Sequence, residues 1–188
     1  MKMPFTRRVR IFIAAVVLLM LLPAGYFGVY MPVQGNFHPI TPGEAYRSAK
    51  LDREKLEHYI KKYNIKSIVN LIGEDPRKRW YQEELRFSAE HNIKHYDITL
   101  SATEEPTAED ARKLVEIFQH APRPVLIHCK GGSDRSGLAA AMWKVIVDKA
   151  PKSEARKQLS ILYGHFPFGK TSAMDHFFEQ WEPVLQPH

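Results

Sequence analysis

Residues 125–137 read Val125-Leu126-Ile127-His128-Cys129-Lys130-Gly131-Gly132-Ser133-Asp134-Arg135-Ser136-Gly137. A short apolar run after a Pro-flanked turn gives way to a glycine-containing loop and then to the start of a helix. Successive backbone N–H groups in such a loop turn inward and form an anion nest. The positive end of the following helix dipole adds to it. Gly131, Gly132 and Gly137 permit close backbone approach and unusual φ. Arg135 supplies a planar fork able to grip two oxygens of an anion. Cys129 stands at the rim of this electropositive ring, the setting in which a thiol yields a thiolate.

Outward from this segment, strand and helix patterns alternate. Strands are predicted at Glu44–Ser48, Ser67–Ile72, Lys94–Leu100 and Val125–His128. Helices are predicted at Asp52–Tyr63, with Asp52 as N-cap, and at Trp80–His91. Thr107–His120 follows, where Thr107 and Asp110 have the spacing of a capping box. Ser136–Lys149, Ser153–Tyr163 and Thr171–Trp181 close the chain, with Gly164 stopping the middle helix. This order predicts an α/β fold, a largely parallel central sheet flanked by helices. Ligands of such sheets bind at the carboxyl ends of the strands, which returns attention to Cys129.

His128-Cys129, five intervening residues and Arg135-Ser136 resemble the signature loop of cysteine-dependent phosphatases of the tyrosine and dual-specificity superfamily. The likeness extends over roughly residues 35–185. It includes Tyr46-Arg47-Ser48 and Val69-Asn70-Leu71, which are similar to segments of many bacterial members. The resemblance implies the phosphotyrosine phosphatase II-like fold with this loop at its base. It further implies Cys129 as nucleophile forming a phosphocysteine, and Arg135 with the loop residues Lys130, Gly131, Gly132, Ser133 and Asp134 as phosphate-binding. Ser136 resembles the hydroxyl that assists the sulfur as it leaves. His128 matches the signature histidine that orders the loop. No metal and no cofactor are implied.

The general acid departs from the family pattern. Members usually take it from an Asp in the loop after the preceding strand, but here that loop reads Leu100-Ser101-Ala102-Thr103-Glu104-Glu105-Pro106. Glu104, just before the Thr107 helix, is the first candidate and Glu105 the second. Asp97 is the right residue type, 32 positions before Cys129, but is expected inside a strand. Asp134 either puts a negative charge beside the pocket or forms a salt bridge that braces the loop. Related loops with Asp there resemble those of bacterial enzymes acting on phosphoinositides and phosphotyrosine.

Net charge is +6, from 27 basic and 21 acidic residues. Residues 1–10 hold Lys2, Arg7, Arg8 and Arg10 and no acid, so 23 basic stand against 21 acidic in the remainder. The folded part therefore lacks the basic face that a nucleic-acid partner requires. Residues 11–31, IFIAAVVLLMLLPAGYFGVYM, are uncharged and long enough to cross a ~30 Å hydrocarbon core. They read as a transmembrane signal anchor, or as a cleaved signal peptide, with Pro23 and Gly25 placed to kink or end the helix.

Positive charges stay cytoplasmic, so the remainder would lie outside the inner membrane, in the periplasm of a bacterium. One cysteine excludes an intrachain disulfide and a cysteine-rich metal site. The domains expected are a basic tail at 1–10, the anchor at 11–31, a Pro/Gly-rich linker at 32–42 and a catalytic domain at 43–188. The partner expected is a phosphorylated protein or a phospholipid. The function classes left open are hydrolysis of phosphoproteins, hydrolysis of phospholipids or phosphoinositides, a non-catalytic phosphate-binding pseudophosphatase, and rhodanese-like sulfur transfer. The Arg-Ser-Gly ending of the loop disfavours the last. Phe166-Pro167-Phe168 and Trp181 are expected to pack the terminal helices. Lys152, Arg156 and Lys157 are expected to form a solvated basic face.

Overall fold

In the computed structural model, which describes residues 5–183, the alternation becomes a five-stranded sheet. Its strands are β1 (His38–Thr41), β2 (Ala45–Ala49), β3 (Ser67–Asn70), β4 (Lys94–Asp97) and β5 (Val125–Cys129), in the order β1-β2-β5-β3-β4. β2, β5, β3 and β4 run parallel, and β1 pairs antiparallel with β2 along one edge. The helices are α1 (Phe5–Gly25), α2 (Met31–Gln34), α3 (Arg53–Tyr63), α4 (Arg79–Glu90), α5 (Ala108–His120), α6 (Asp134–Ile146), α7 (Lys152–Ala155) and α8 (Ala173–Gln180).

The chain divides into two units. In the first, which ends at Gln34, α1 runs through Pro23, a π turn spans Tyr26–Tyr30, and α2 completes the unit. The α-helix thus ends at Gly25, where a break was expected, but the path stays helical to Gln34 through the π turn at Tyr26–Tyr30. Val9–Gln34 is long and apolar enough to cross a membrane. Residues 1–4 of the predicted tail lie outside the described residues.

The second unit begins at Gly35. Its sheet is apolar on both faces, and strand alternation sorts the side chains. Ile68 and Leu126 join Leu56, Ile60 and Phe87 beneath α3 and α4. Val69, Val125 and Ile127 join Leu114, Phe118, Leu138 and Trp143 on the side of α5 and α6. α6 has no polar face: Ser136 to Trp143 are all buried. A helix enclosed on every side is a rigid base for whatever its N-terminus holds. β5 lies between β2 and β3, and the connections on its two sides use opposite faces, which opens a crevice at its carboxyl end.

Several boundaries differ from expectation. β1 forms from residues 38–41, inside the predicted linker, because its backbone finds an edge of the sheet to pair with. β4 ends at Asp97 instead of Leu100. The helix expected at Ser153–Tyr163 is broken into α7 and two short 3₁₀ turns, Arg156–Gln158 and Ile161–Tyr163. The cause is a competing donor: Arg47 Nη1 takes the Gln158 carbonyl at 2.6 Å. Phe168 is 70% exposed and Phe166 38%, so that pair does not pack the terminal helices. Trp181 does pack, beside Phe178. Lys152 and Arg156 are engaged by α8, Lys152 with the carbonyls of Glu179 and Trp181, and Arg156 with the Glu179 carboxylate.

The capping box at α5 forms as expected, Thr107 Oγ1 accepting from Asp110 N at 3.1 Å and Thr107 N donating back at 3.0 Å. Thr107→Ala should lower stability by about 1 kcal/mol, whereas Leu126→Ala, in the buried layer under α3, should cost about 2–5 kcal/mol. Urea denaturation of the two variants checks the contrast.

Candidate active site

Alternation along β5 aims two neighbouring side chains in opposite directions. Cys129 follows Val125 and Ile127 to the α6 side and is 2% exposed. There its thiol lies 3.4 Å from Ser136 Oγ, and Gly132 N donates to the sulfur at 3.2 Å. His128 turns the other way, toward α4, where Nε2 donates to Glu84 Oε1 at 3.1 Å.

The loop between them and α6 is clamped from outside by two side chains. Asn36 Nδ2 donates to the Gly131 carbonyl at 3.0 Å. Arg47 Nη2 donates to the carbonyls of Gly132 at 3.0 Å and Ser133 at 2.8 Å. In a planar trans peptide the N–H points away from the C=O. Holding three successive carbonyls outward therefore turns the amides of Gly132, Ser133 and Asp134 inward. The first of these is the amide bonded to the Cys129 sulfur. Gly132 is needed here: φ is +71°, and a Cβ would fall 2.5 Å from Ala49 N. Gly131 carries no such constraint, since an added Cβ meets nothing closer than 3.8 Å.

Arg47 is wholly buried. It also bonds Gln158 and lies over the Tyr163 ring, 4.5 Å from its centroid. Burial pulls its guanidinium down to about 10, against the opposing influence of Cys129, Tyr163 and Asp134. It stays charged at neutral pH. Neither Arg47 nor Asn36 was singled out as a site residue from sequence. A strand candidate carrying an arginine between Tyr46 and Ser48 was the available signal for the first; Asn36, in the presumed linker, offered none.

Arg135 Nη1 donates to the carbonyls of Leu71, just past β3, at 3.3 Å and of Leu100, past β4, at 3.2 Å. It thus ties the segments that follow β3 and β4 to the start of α6. Lys130 is exposed. Ser133 Oγ bonds the Gly131 carbonyl at 3.3 Å. The Asp134 carboxylate does not stand alone beside the loop: Oδ1 meets His165 Nδ1 at 2.8 Å, the bracing role among the two expected for it.

Behind His128 lies a chain of buried polar groups. Glu84 Oε1 accepts from His95 Nε2 at 2.9 Å as well as from His128. His95 Nδ1 is 3.3 Å from Asp97 Oδ2, an ion-pair contact and not an aligned hydrogen bond. Asp97 also accepts from Tyr81 Oη and Asn70 Nδ2, both at 2.7 Å. Burial opposes charge on each of these groups, yet the pairing wins. His128 and His95 hold the Glu84 carboxyl below the usual range. His95, Tyr81 and Asn70 do the same for Asp97. Asp97 and Glu84 raise His95 to about 9. Asp97 closes β4, as expected of a strand residue, with its carboxylate in contact with Asn70, Tyr81 and His95. His95 meets Glu84 only because α4, distant in sequence, packs against β4.

Glu104 and Glu105 are exposed in the loop after β4. Leu100, four positions before Glu104, is one of the two residues whose carbonyls Arg135 holds. Glu105 helps line a groove of about 750 Å³ between α5 and α8, with Arg112, Val115, Phe177 and Trp181. That groove shares no residue with the 128–136 loop. Among the described residues no group of three or more His, Cys, Asp or Glu side chains is arranged to hold a metal ion.

A buried strand whose last residue is a thiol, with amides and an arginine gathered around it, defines the phosphatase class that forms a cysteinyl intermediate. Comparison narrows this: the family model "DSP-PTPase phosphatase fused to NAD+ Kinase" matches residues 43–175, and the chain belongs to that family. Among curated proteins it is 28% identical over 148 residues to inositol diphosphatase SIW14 of Saccharomyces cerevisiae, covering 76% of this chain and 49% of the relative. It is 34% identical over 119 residues to inositol diphosphatase DSP3 of Arabidopsis thaliana, covering 58% of this chain and 54% of the relative. With dual specificity protein phosphatase TpbA of Pseudomonas aeruginosa it shares 28% over 143 residues, 74% of this chain and 58% of the relative. The chain spans about half the length of these relatives. The catalytic core of SIW14 superposes with a TM-score of 0.63 at 25% identity, over 78% of this chain and 85% of that one.

The buried chain sets a pH window for stability. His95, raised in the folded state, contributes fully below about 6.5, its ordinary value, and loses the contribution as pH climbs through about 9. Glu84 and Asp97, lowered in the folded state, contribute above the ordinary carboxylate range and lose it on acidification. Glu84→Gln, which strands two histidines, should cost about 3–5 kcal/mol. His95→Gln should flatten the alkaline fall, as read by urea melts across this range.

Proposed function

We propose that the second unit hydrolyses phosphate monoesters through a phosphocysteine. The observation that carries the reading is the Cys129 sulfur, 3.2 Å from the Gly132 amide and 3.4 Å from Ser136 Oγ, at the base of a loop in which the carbonyls of Gly131, Gly132 and Ser133 are held outward. A phosphoryl group seated on the inward amides would have its equatorial oxygens bonded as charge shifts in the transition state. Arg135 would leave its carbonyl partners or share them to grip two of those oxygens.

The thiolate of Cys129 attacks phosphorus, the S–P bond forms and the P–O bond to the leaving alcohol breaks. Glu104 gives that oxygen its proton. Water then attacks phosphorus, passing a proton to the Glu104 carboxylate. The S–P bond breaks with its electron pair returning to sulfur, and Ser136 donates a hydrogen bond to the departing thiolate. His128, held by Glu84, orders the loop and transfers no proton. Glu104 is placed ahead of Glu105 because Glu105 faces the groove between α5 and α8.

Phosphotyrosine, phosphoserine or phosphothreonine of a protein is the substrate class we put first. A second reading, an inositol phosphate or phosphoinositide, draws support from exposed Lys130 and from two relatives that are inositol diphosphatases. A non-catalytic phosphate binder draws support only from the missing Asp in the loop after β4. We place residues 11–31 in the membrane as an anchor, with the catalytic unit outside a bacterial inner membrane on the strength of the four N-terminal positive charges.

Cys129→Ser should abolish hydrolysis of p-nitrophenyl phosphate with circular dichroism unchanged; retained turnover would refute the mechanism. Arg135→Ala should remove vanadate affinity, whereas Lys130→Ala should weaken it only. An acid works while protonated, so activity should fall as pH rises through its ionisation. Glu104→Gln should erase that limb and slow alkyl phosphates about 10²–10⁴-fold. A panel of phosphopeptides, phosphoinositides, a diphosphoinositol phosphate and phosphatidylglycerophosphate ranks the substrate classes.

A further inference from the structure

His165 sits just after Gly164, and its side chain is wholly buried. Each ring nitrogen faces a carboxylate: Nδ1 is 2.8 Å from Asp134 Oδ1 at the start of α6, and Nε2 is 2.8 Å from Asp175 Oδ2 on α8. A neutral imidazole has one N–H and one lone pair, so it can satisfy only one such partner; the imidazolium satisfies both. Burial works against the charge, but Asp134 and Asp175 outweigh it and raise His165 above its ordinary value. Arg156 stands 3.7 Å from the other oxygen of Asp175 and pairs in turn with Glu179. The groups facing His165 are thus two acids, one of them already accompanied by a cation.

Asp134 is the loop residue directly before Arg135, and its amide is one of the three turned inward. A carboxylate at that position has two places to go. Facing the nest, it would repel an incoming dianion and compete for the same amides. Facing His165, it is turned aside and its charge is cancelled. We propose that His165 is a positioning residue for the phosphate loop: its imidazolium draws the Asp134 carboxylate away from the anion nest and neutralises it, so that the nest keeps its affinity for a phosphate dianion. The inference rests on the phosphate-binding role proposed for the loop and adds to it a residue about thirty positions downstream, outside the signature motif. Asp175 anchors the other side of the ring, which makes α8 part of the device.

A mere strut between α6 and α8 would behave differently, and charge removal separates the two. The test is calorimetric binding of inorganic phosphate to the full chain in detergent micelles at about pH 6, where the ring is charged. Binding needs no turnover, so the result is independent of Cys129 chemistry; a wild type that binds no phosphate would overturn the functional reading along with this one. His165→Gln should weaken phosphate binding about tenfold, the scale of one charged contact. Adding Asp134→Asn to that variant should restore affinity to within about twofold of wild type, because the repelling charge is gone. A double variant as weak as His165→Gln, or a His165→Gln protein that binds like wild type, overturns the proposal.

Should thermal melts show His165→Gln unfolded, wild type and Asp134→Asn are compared with tungstate across the pH range over which the NMR resonances of the His165 ring show it losing its proton. Wild-type affinity should fall about tenfold over that range, and Asp134→Asn should stay flat. Equal slopes in the two proteins overturn the proposal.

Discussion

A single buried guanidinium organises the loop on which the chemistry depends. Taking a charged side chain wholly out of water is costly unless it finds compensating partners. Both Nη groups of Arg47 are answered, by the Gly132, Ser133 and Gln158 carbonyls, while its buried Nε has no hydrogen-bond partner. Its Nη2 fixes Gly132 and Ser133, its Nη1 interrupts a helix at Gln158, and the Tyr163 ring covers its face. The interaction thus acts on three segments at once. It orients the amides, it breaks the 156–163 region into short turns, and it draws that region against the loop. Replacement by lysine would keep the charge and lose the fork that reaches several carbonyls together.

The other organising constraint is the two-residue period of β5. Because His128 and Cys129 are adjacent, they must leave opposite faces of the sheet. Each face then supplies its own polar partners from elements far apart in sequence. On the α4 side, Glu84 gathers His128 and His95 and passes the connection to Asp97, Tyr81 and Asn70. On the α6 side, Ser136 meets the sulfur, and His165 with Asp175 takes up the carboxylate of Asp134. The loop is therefore braced from both sides of the sheet by carboxylate–imidazole contacts, while its interior is left to amides, one hydroxyl and one thiol.

Much of this was legible in the residues alone, for identifiable reasons. The α/β alternation, the Asp52 and Thr107 caps and the strand–loop–helix around Cys129 are local signals, written in contiguous residues and short periods. Where expectation and structure part, the deciding partner is remote. β1 exists because β2 offers an edge, not because residues 38–41 favour extension by themselves. The break after α7 is made by Arg47, more than a hundred residues earlier. Glu84, in the middle of an amphipathic helix, reads as one more surface acid until α4 is docked and two histidines are brought to it. Asn36 and His165 were invisible for the same reason: each acts on the loop through a contact that no spacing rule encodes. The three neighbours of Asp97 are likewise gathered from β3, α4 and its own strand.

The edge strands of the sheet carry one last consequence. β1 places Pro39, which has no amide hydrogen, on the open border, and its pairing with β2 is irregular between Pro39 and Thr41. The opposite border, β4, is four residues long and begins with Lys94. A proline, a register break and a short charged strand are poor templates for another chain to extend. The fold thereby guards its own flanks against sheet-to-sheet polymerisation, a hazard that an open sheet with two unpaired borders would otherwise present.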